Sequence, residues 1–435
     1  MSKNAEQAAA EPVSGGRPYI VLGALVLGLL LGVLAGELAE PARAPWVQAA
    51  AIVGGLWLDA LKMTVIPLVV ALLVVGIAQG AEAARAGRVA GRTVLWIIIV
   101  CTASAVFGAL AIETLTAAFP LSAGASDALR AGAAGLGAPP EGAVPGVVDF
   151  FRAIVPPNVI AAASNDQVLP LVVFTVLFAL AISRIAAAKR KALVGLFDAI
   201  ADAFLLIIGW ILWLAPLGVL ALAFTVGAAA GSAAVAGLVH YIVLVSIVGI
   251  AVTIAAYPIA IAGGRIPAAR FTRAMFAPQS VAISTRSSLA SLPAMLASAR
   301  VMGVRDETAD VSLPIAVALF RATGPAMNVA VAFYVAHWLG YEPTPGQMIA
   351  AVAVGAVMSY AAISLPGEIS FISSIAPIAI ALGVPIAPLA LLVAVEMVPD
   401  IFRTLGNVTM DVAVTAAVDR GTGDQRPAIA RTRSE

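Results

Sequence analysis

The stretch EMVPDIFRTLGNVTMD, Glu396 to Asp411, places three carboxylates, a guanidinium and an asparagine between the apolar runs PIAPLALLVAV and VAVTAAV. Asp400, Arg403, Thr404, Asn407 and Asp411 recur at i, i+3, i+4, i+7 and i+11. On a helix they form one stripe, and Glu396 extends it by a turn. A charge held at the middle of a bilayer costs about 2.5–3.5 kcal/mol on insertion scales, so such a stripe has to face other polar groups, a wet cavity or a ligand. A purely structural salt-bridge network between helices is one alternative, and Asp400 with Arg403 is a ready pair for it. Pairing leaves Thr404, Asn407 and Asp411 over. Their oxygens suit a hard cation or hydrogen bonds to a polar substrate.

The rest of the chain supplies the apolar setting. Of its 435 residues 61% are hydrophobic and only 11% are charged, against about 25% charged in a soluble globular protein. YIVLGALVLGLLLGVLAG, LWIIIVCTASAVFGALAI and LVHYIVLVSIVGIAVTIAAYPIAIAGG each reach or pass about 18 residues, the length at which a transmembrane helix is expected. A membrane β-barrel alternates with period two, and these runs do not. The expectation is an all-α polytopic membrane protein. Cys101 is the single cysteine, which excludes a disulfide framework within the chain and offers no metal cluster. MSKNAEQAAAEPVSGGRP reads as a polar tail (1–17) without a cleavable signal. Residues 419–435 read as a disordered cytoplasmic tail. The formal net charge of +1 says nothing about nucleic acid; for a membrane protein of this kind no nucleic-acid partner is expected.

Membrane segments are expected near 18–40, 50–78, 92–118, 147–186 (broken), 192–228, 234–263, 268–298, 309–338, 345–383 and 386–418. The segments at 268–298 and 345–383 are interrupted by TRSSLASLP (Thr285 to Pro293) and ISLPGEIS (Ile363 to Ser370). Each reads as a re-entrant hairpin of two half-helices. Irregular backbone at membrane depth survives only when buried in protein or facing a water-filled cavity. If both hairpins return to the side they left, the basic residues sort well. Lys3 and Arg17, the Arg85–Arg92 group, the Arg184–Lys191 group, the Arg265–Arg273 group, Arg300, Arg305 and the C-terminal arginines fall on one side. Only Arg43, Arg130 and Arg152 fall on the other. The rich side is cytoplasmic, which puts both termini inside. Interrupted segments in corresponding places of two halves are the best sequence pointer to a transporter's binding site. A half-helix N-terminus presents N–H groups to an anion. Arg403 is a fixed fork for a carboxylate and Asp400 can take an ammonium, so an anionic amino acid satisfies both.

These residues resemble the dicarboxylate/amino acid:cation symporter family, the glutamate transporter fold, over roughly residues 18–418. LKMTVIPLVV (Leu61 to Val70) is similar to the family's second helix, IVPPNVIAAASNDQVLPLVVFTVLFALAI to its broken fourth and LAPLGVLAL to its fifth. DIFRTLGNVTMD is the strongest match, to Asp-x-x-Arg-Thr-x-x-Asn-Val-x-Gly-Asp. TRSSLASLP is similar to the serine-rich tip of the first hairpin and LPGE to the Pro-Gly tip of the second. The resemblance implies eight transmembrane helices plus two re-entrant helical hairpins (268–298 and 345–383), arranged as inverted repeats in an elevator-type transporter of the inner membrane. It implies a homotrimer. Its scaffold takes in about 18–78 and 147–228, and its mobile transport part about 92–118 and 234–418. The function implied is symport of an acidic amino acid or related small carboxylate with sodium or a proton, a C4-dicarboxylate being the alternative load. By resemblance Asp400 binds the substrate amino group and Arg403 its side-chain carboxylate, with Thr404 and Asn407 lining the same site. Ser287 and Ser288 at the first tip hold the α-carboxylate, and Pro366 and Gly367 form the second tip. Asn407 and Asp411 contribute to a sodium site, and Arg286 balances the acidic stripe. No resident cofactor is implied; sodium enters as the coupling ion.

The chain also departs from that pattern. The family's LPLGATINMDGTALY stands here as LPIAVALFRATGPAM, Leu313 to Met327. Aligned without gaps, the family's Asn-Met-Asp-Gly-Thr becomes Phe320, Arg321, Ala322, Thr323 and Gly324. Glu368 sits at the second tip where a small residue is usual, and Met410 replaces the Gly before Asp411. One expectation is that Arg321 supplies part of the charge that sodium supplies elsewhere, with Glu368 or Glu396 as its partner or as a proton carrier. The other is that Arg321 snorkels or pairs structurally. His240 and His337 read as packing or interfacial residues, and Lys62 as a partner of Asp59 at i+3. Three other functions stay open: a membrane hydrolase using Ser287 with His240, a channel, and a carboxylate receptor without transport. No Gly-x-Ser-x-Gly elbow or His-Glu-x-x-His motif supports the hydrolase.

Overall fold

Apolar segments in lipid must pair their own backbone N–H and C=O groups, because no water is there to do it. The computed structural model describes residues 17–121, 155–165, 167–231, 233–360 and 367–423, and among them every regular element is a helix. In chain order these are α1 (Arg17–Gly36), α2 (Glu40–Arg85), α3 (Arg88–Ala118), α4 (Val159–Ser164), α5 (Val168–Ile182), α6 (Ala187–Trp213), α7 (Ala215–Ala230) and α8 (Ala233–Pro258). Then follow α9 (Ala268–Thr285), α10 (Ser288–Val301), α11 (Asp306–Leu319), α12 (Thr323–Leu339), α13 (Pro345–Tyr360), α14 (Gly367–Leu382), α15 (Ala387–Leu392) and α16 (Met397–Gly423). Among the described residues six stretches are long and apolar enough to cross a membrane: Tyr19–Gly36, Glu40–Arg85, Arg88–Ala118, Ala187–Trp213, Val235–Gly263 and Asp306–Leu339. Most of the N-terminal tail, the loop around Arg130 with Arg152, the second tip with Pro366, and most of the C-terminal tail lie outside the described residues.

Several expected segments divide. The stretch expected at 192–228 is two helices parted at Leu214, and Pro216 sits in the first turn of α7, where its missing N–H is harmless. The stretch at 386–418 becomes α15 and α16, and α16 continues to Gly423. The stretch at 309–338 breaks at Phe320–Ala322 into α11 and α12. Pro258 ends the regular part of α8, and a π-turn follows at Ile259–Gly263.

The turn between α9 and α10 takes two residues. Arg286 closes α9 in the left-handed region, φ 50° and ψ 34°. Ser287 then caps α10, its Oγ accepting from the Ala290 N–H at 3.2 Å. At the far ends of the same two helices, Arg270 donates to the Val301 carbonyl at 2.6 Å and Ser298 Oγ to the Ala274 carbonyl at 2.7 Å. The pair is therefore an antiparallel hairpin with Arg286 and Ser287 at its tip.

Two patterns of packing emerge. α2 lies against α5, α6 and α7, and α1 packs along α7. α16 is surrounded instead by α3, α8, α9, α10, α11 and α12, while α13 and α14 pack on each other and on α12. Small residues permit the closest approaches, as in helix contacts within lipid. A Cβ on Gly28 would lie 2.4 Å from the Leu220 carbonyl oxygen, and one on Gly32 2.3 Å from that of Phe224. Buried hydroxyls tie the second group together: Thr93 donates to Ser312 at 3.0 Å, and Ser312 and Thr415 lie 3.0 Å apart. Trp57 reads as packing, with Nε1 donating to the Ile211 carbonyl at 2.9 Å, and Lys62 lies 3.5 Å from Asp59.

Backbone cannot retreat from a new side chain as a flexible side chain can. Gly32→Val is expected to force α1 off α7 and to destabilise the protein by about 1–3 kcal/mol. Gly55→Val, where a Cβ meets nothing within 4 Å, is expected to leave melting in detergent near that of the wild type.

Candidate functional site

The stripe of α16 faces inward. Thr404, Asn407 and Asp411 are buried, and the side chains of Asp400 and Arg403 keep only 13% and 16% of their surface exposed; Glu396, expected one helical turn further along the stripe, lies instead in the turn just before α16 and is buried as well. The stripe can lie so deep because residues of α8, α9 and α12 meet it.

Arg403 is held at both ends of its fork. One terminal nitrogen donates to Glu396 Oε1 at 2.6 Å and the other to Asn328 Oδ1 of α12 at 2.6 Å. Its Nε lies 3.9 Å from Asp400 Oδ1. Glu396 receives a second bond, from the Tyr241 hydroxyl of α8 at 2.9 Å. Tyr241 is fully buried and packs edge-on against Tyr334, ring centroids 5.5 Å apart. A buried carboxylate with two charge-assisted or hydroxyl donors is well satisfied. Asp400 also faces the first hairpin: Arg286 at the tip lies 3.7 Å from its Oδ2. The site thus joins the charged stripe to the turn between α9 and α10.

The break in α11–α12 is satisfied from α16. The first N–H groups of a helix lack intrahelical partners. Here the Thr323 N–H, the first of α12, donates to Asn407 Oδ1 at 2.9 Å. The Thr323 hydroxyl lies 2.7 Å from the same oxygen and 2.8 Å from the Arg403 carbonyl. Ser104 of α3 closes the other side, its Oγ donating to the Ala322 carbonyl at 2.5 Å. Asn407 therefore works as a helix cap supplied by another helix, and its oxygen already accepts in that role.

Asp411 and Arg321 sit differently. Asp411 is 0% exposed, and among the described residues neither of its oxygens has a hydrogen-bond partner; one terminal nitrogen of Arg321 is likewise buried and unpartnered. Arg321 and Asp411 form no direct ion pair, but the Arg321 charge bears on Asp411. Arg321 is in turn attracted by Asp411 and Asp400 and repelled by Arg403. Of the pair expected to hold a cation, Asp411 thus has free oxygens and Asn407 does not. Among the described residues no three of the His, Cys, Asp and Glu side chains gather as a metal-binding group.

The other expected residues are placed as follows. Ser287 caps α10 and Ser288 is buried behind it. Gly367 begins α14. Pro366 and the side chain of Glu368 lie outside the described residues. His240 is bonded on both ring nitrogens, to the Tyr334 hydroxyl at 2.9 Å and to the Phe119 carbonyl at 2.7 Å. Tyr241, Thr323 and Asn328 belong to the site, and sequence reasoning missed them. Asn328 is a lone polar residue within an apolar run, Tyr241 follows His240 and Thr323 lies two residues after Arg321, which was the available signal.

An apolar helical protein with a charged cluster at interrupted helices has the build of a secondary transporter. The chain belongs to the sodium:dicarboxylate symporter family, whose model matches residues 19–421, a family of transporters rather than enzymes. It is 28% identical over 424 residues to a proton/sodium-glutamate symport protein of Bacillus subtilis, with 94% of each chain covered. It is 26% identical over 366 residues to a C4-dicarboxylate transport protein of Ralstonia nicotianae, covering 80% of this chain and 76% of that one. A proton/glutamate-aspartate symporter of Escherichia coli is 28% identical over 207 residues, 46% of each chain.

Removing one partner of a buried ion pair leaves the other uncompensated. Glu396→Gln is expected to destabilise the protein by about 3–5 kcal/mol. Tyr241→Phe, which removes one hydrogen bond to a charged group, is expected to cost about 1.5–3 kcal/mol. Denaturant or thermal unfolding in detergent gives both values, and equal effects would contradict the arrangement.

Proposed function

We propose that the protein is a secondary active symporter that carries an acidic amino acid or a related small carboxylate with a cation. The observation that carries this reading is the meeting of Arg403, Asp400 and the Arg286 tip. A guanidinium fork and a carboxylate, both mostly buried, lie against a helix-hairpin turn that adds a second guanidinium. Arg403 takes the load's carboxylate in a two-point contact. Asp400 takes its ammonium, and the N-terminal end of α10 adds N–H groups for the second carboxylate. Thr404, Asn407, Ser287 and Ser288 line the site, with Pro366 and Gly367 closing it from the second tip. Glu396 and Asn328 hold the Arg403 fork, so carboxylate binding there would exchange one set of hydrogen bonds for another.

The same reading includes the mechanics. The α9–α10 hairpin and the α13–α14 pair serve as re-entrant hairpins within eight transmembrane helices and inverted repeats. The helices packed around α16 form the transport part, and α1, α2 and α4–α7 form the scaffold of a homotrimer, against which it moves as an elevator. The different main packing partners of α2 (α5, α6 and α7) and α16 (α8 to α11), with α3 touching both, and the family membership support that division. The sorting of basic residues supports an inner-membrane protein with both termini cytoplasmic. Sodium or a proton is the coupling cation. Names among the relatives favour glutamate, aspartate or a C4-dicarboxylate, and Asp400 favours a load with an amino group.

Thermal stabilisation of the purified protein by aspartate, glutamate, succinate and neutral amino acids tests this, because a ligand that binds the folded state raises its melting temperature by mass action. Aspartate or glutamate is expected to stabilise and neutral amino acids are not. Arg403→Gln is expected to weaken carboxylate binding by about 2–5 kcal/mol, well over tenfold. Asp400→Asn is expected to weaken the amino acids while sparing succinate. Wild-type-like stabilisation by aspartate in Arg403→Gln would remove the reading.

A further inference from the structure

We infer that Arg321 is a tethered cation opposite Asp411, taking the place of one co-transported sodium ion. This inference rests on the symporter reading and assigns the charge balance of that same site.

Four observations converge on it. First, Asp411 is completely buried and, among the described residues, neither of its oxygens has a hydrogen-bond partner. A carboxylate in such surroundings needs a compensating positive charge. Second, the Thr323–Asn407 bond brings the chain two residues after Arg321 to within one turn of Asp411 on α16, and one terminal nitrogen of Arg321 is buried and unpartnered among the described residues. Third, Asn407, the amide expected beside Asp411 in a cation site, offers no free acceptor: its oxygen receives the Thr323 N–H and lies 2.7 Å from the Thr323 hydroxyl. A hard cation takes several oxygen ligands, and here one of the two expected side chains caps a helix instead. Fourth, the described charges at the site already balance. Glu396, Asp400 and Asp411 face Arg286, Arg321 and Arg403.

The local chain explains how an arginine comes to be there. Residues Phe320 to Ala322 leave the helix between α11 and α12. The break lets a long side chain start from deep in the bundle, behind the Thr323–Asn407 contact. A guanidinium on a four-bond stem then delivers its charge near Asp411 without leaving the chain. A monovalent ion would deliver the same charge only while bound. Counted over the described side chains alone, added sodium would set a fourth positive charge against three carboxylates in a buried site.

The test uses the purified full-length protein in detergent and reads melting temperature against sodium chloride, with choline chloride at equal ionic strength as reference. Four proteins are compared: wild type, Arg321→Met, Asp411→Asn and the double variant. In the wild type any sodium response is expected to be the same with or without the Asp411 carboxylate, since it comes from elsewhere in the chain. Arg321→Met is expected to gain a saturable rise in melting temperature with sodium, as mass action requires, and the double variant to lose that gain. Two outcomes overturn the inference. One is a wild-type sodium response that disappears in Asp411→Asn. The other is an Arg321→Met protein that responds to sodium no more than the wild type. Either comparison decides alone if one variant does not fold. Aspartate, glutamate and succinate are titrated in parallel. If none stabilises the wild type, the symporter reading fails while the sodium comparison still reports on Arg321. If Arg321→Met loses carboxylate stabilisation without gaining a sodium response, Arg321 belongs to the load and the inference fails alone.

Discussion

The charges of α16 lie where neither lipid nor bulk water can solvate them, and the rest of the structure follows from that constraint. Glu396 answers Arg403, Arg403 reaches Asn328, and Tyr241 completes the coordination of Glu396. Glu396 sits in the turn just before α16 and joins Tyr241 of α8 to Arg403, and Asn328 of α12 meets the same arginine, so α8, α12 and α16 must sit at fixed depths relative to one another. Gly406 and Gly249 make this possible. A Cβ on Gly406 would lie 2.4 Å from Thr323 Cγ2 and 2.9 Å from Thr253 Oγ1. Polar residues within the bundle thus set the register, and small residues allow the approach that the polar contacts require.

Breaks in helices serve the same end. A broken helix exposes N–H and C=O groups that cost several kcal/mol each if left unpaired in an apolar surround. The two breaks nearest the site are closed by different means. At Arg286 the chain turns through a left-handed residue and Ser287 caps the next helix locally. At Ala322 the cap comes from Asn407, distant in sequence. A local cap can separate from α16 without losing its own satisfaction, whereas a cap borrowed from α16 binds α12 to it.

Much of this was legible in the chain. The stripe from Asp400 to Asp411 has helical spacing, and the structure puts it on one buried face. TRSSLASLP read as an interruption, and the turn falls at Arg286 and Ser287. The division of 309–338 was missed, although Gly324–Pro325, a turn-marking pair, follows the break directly. The residue at the N-cap position is Ala322, and the group that caps α12 lies in another helix. Asn407 was read as a cation ligand because an amide oxygen in an acidic stripe suggests one; only the position of Thr323 shows that it is engaged. Tyr241 and Asn328 escaped for the same reason. Spacing along one helix reveals a face, and it does not reveal which residue of another helix meets it. Where the structure describes no residues, as at Pro366, the reading of the second tip remains a matter of sequence.

An internal charge carries a thermodynamic consequence of its own. An ion that crosses with its load and stays behind draws on the membrane potential, about 2.3 kcal/mol for each elementary charge per 100 mV. Under the proposed elevator motion, a guanidinium fixed to the backbone, as Arg321 is, would make the outward and the return journey with the protein and do no net electrical work over a full cycle. A carrier built this way concentrates its load less steeply than one that takes an additional ion. In exchange, that step of its cycle proceeds in fresh water as readily as in brine.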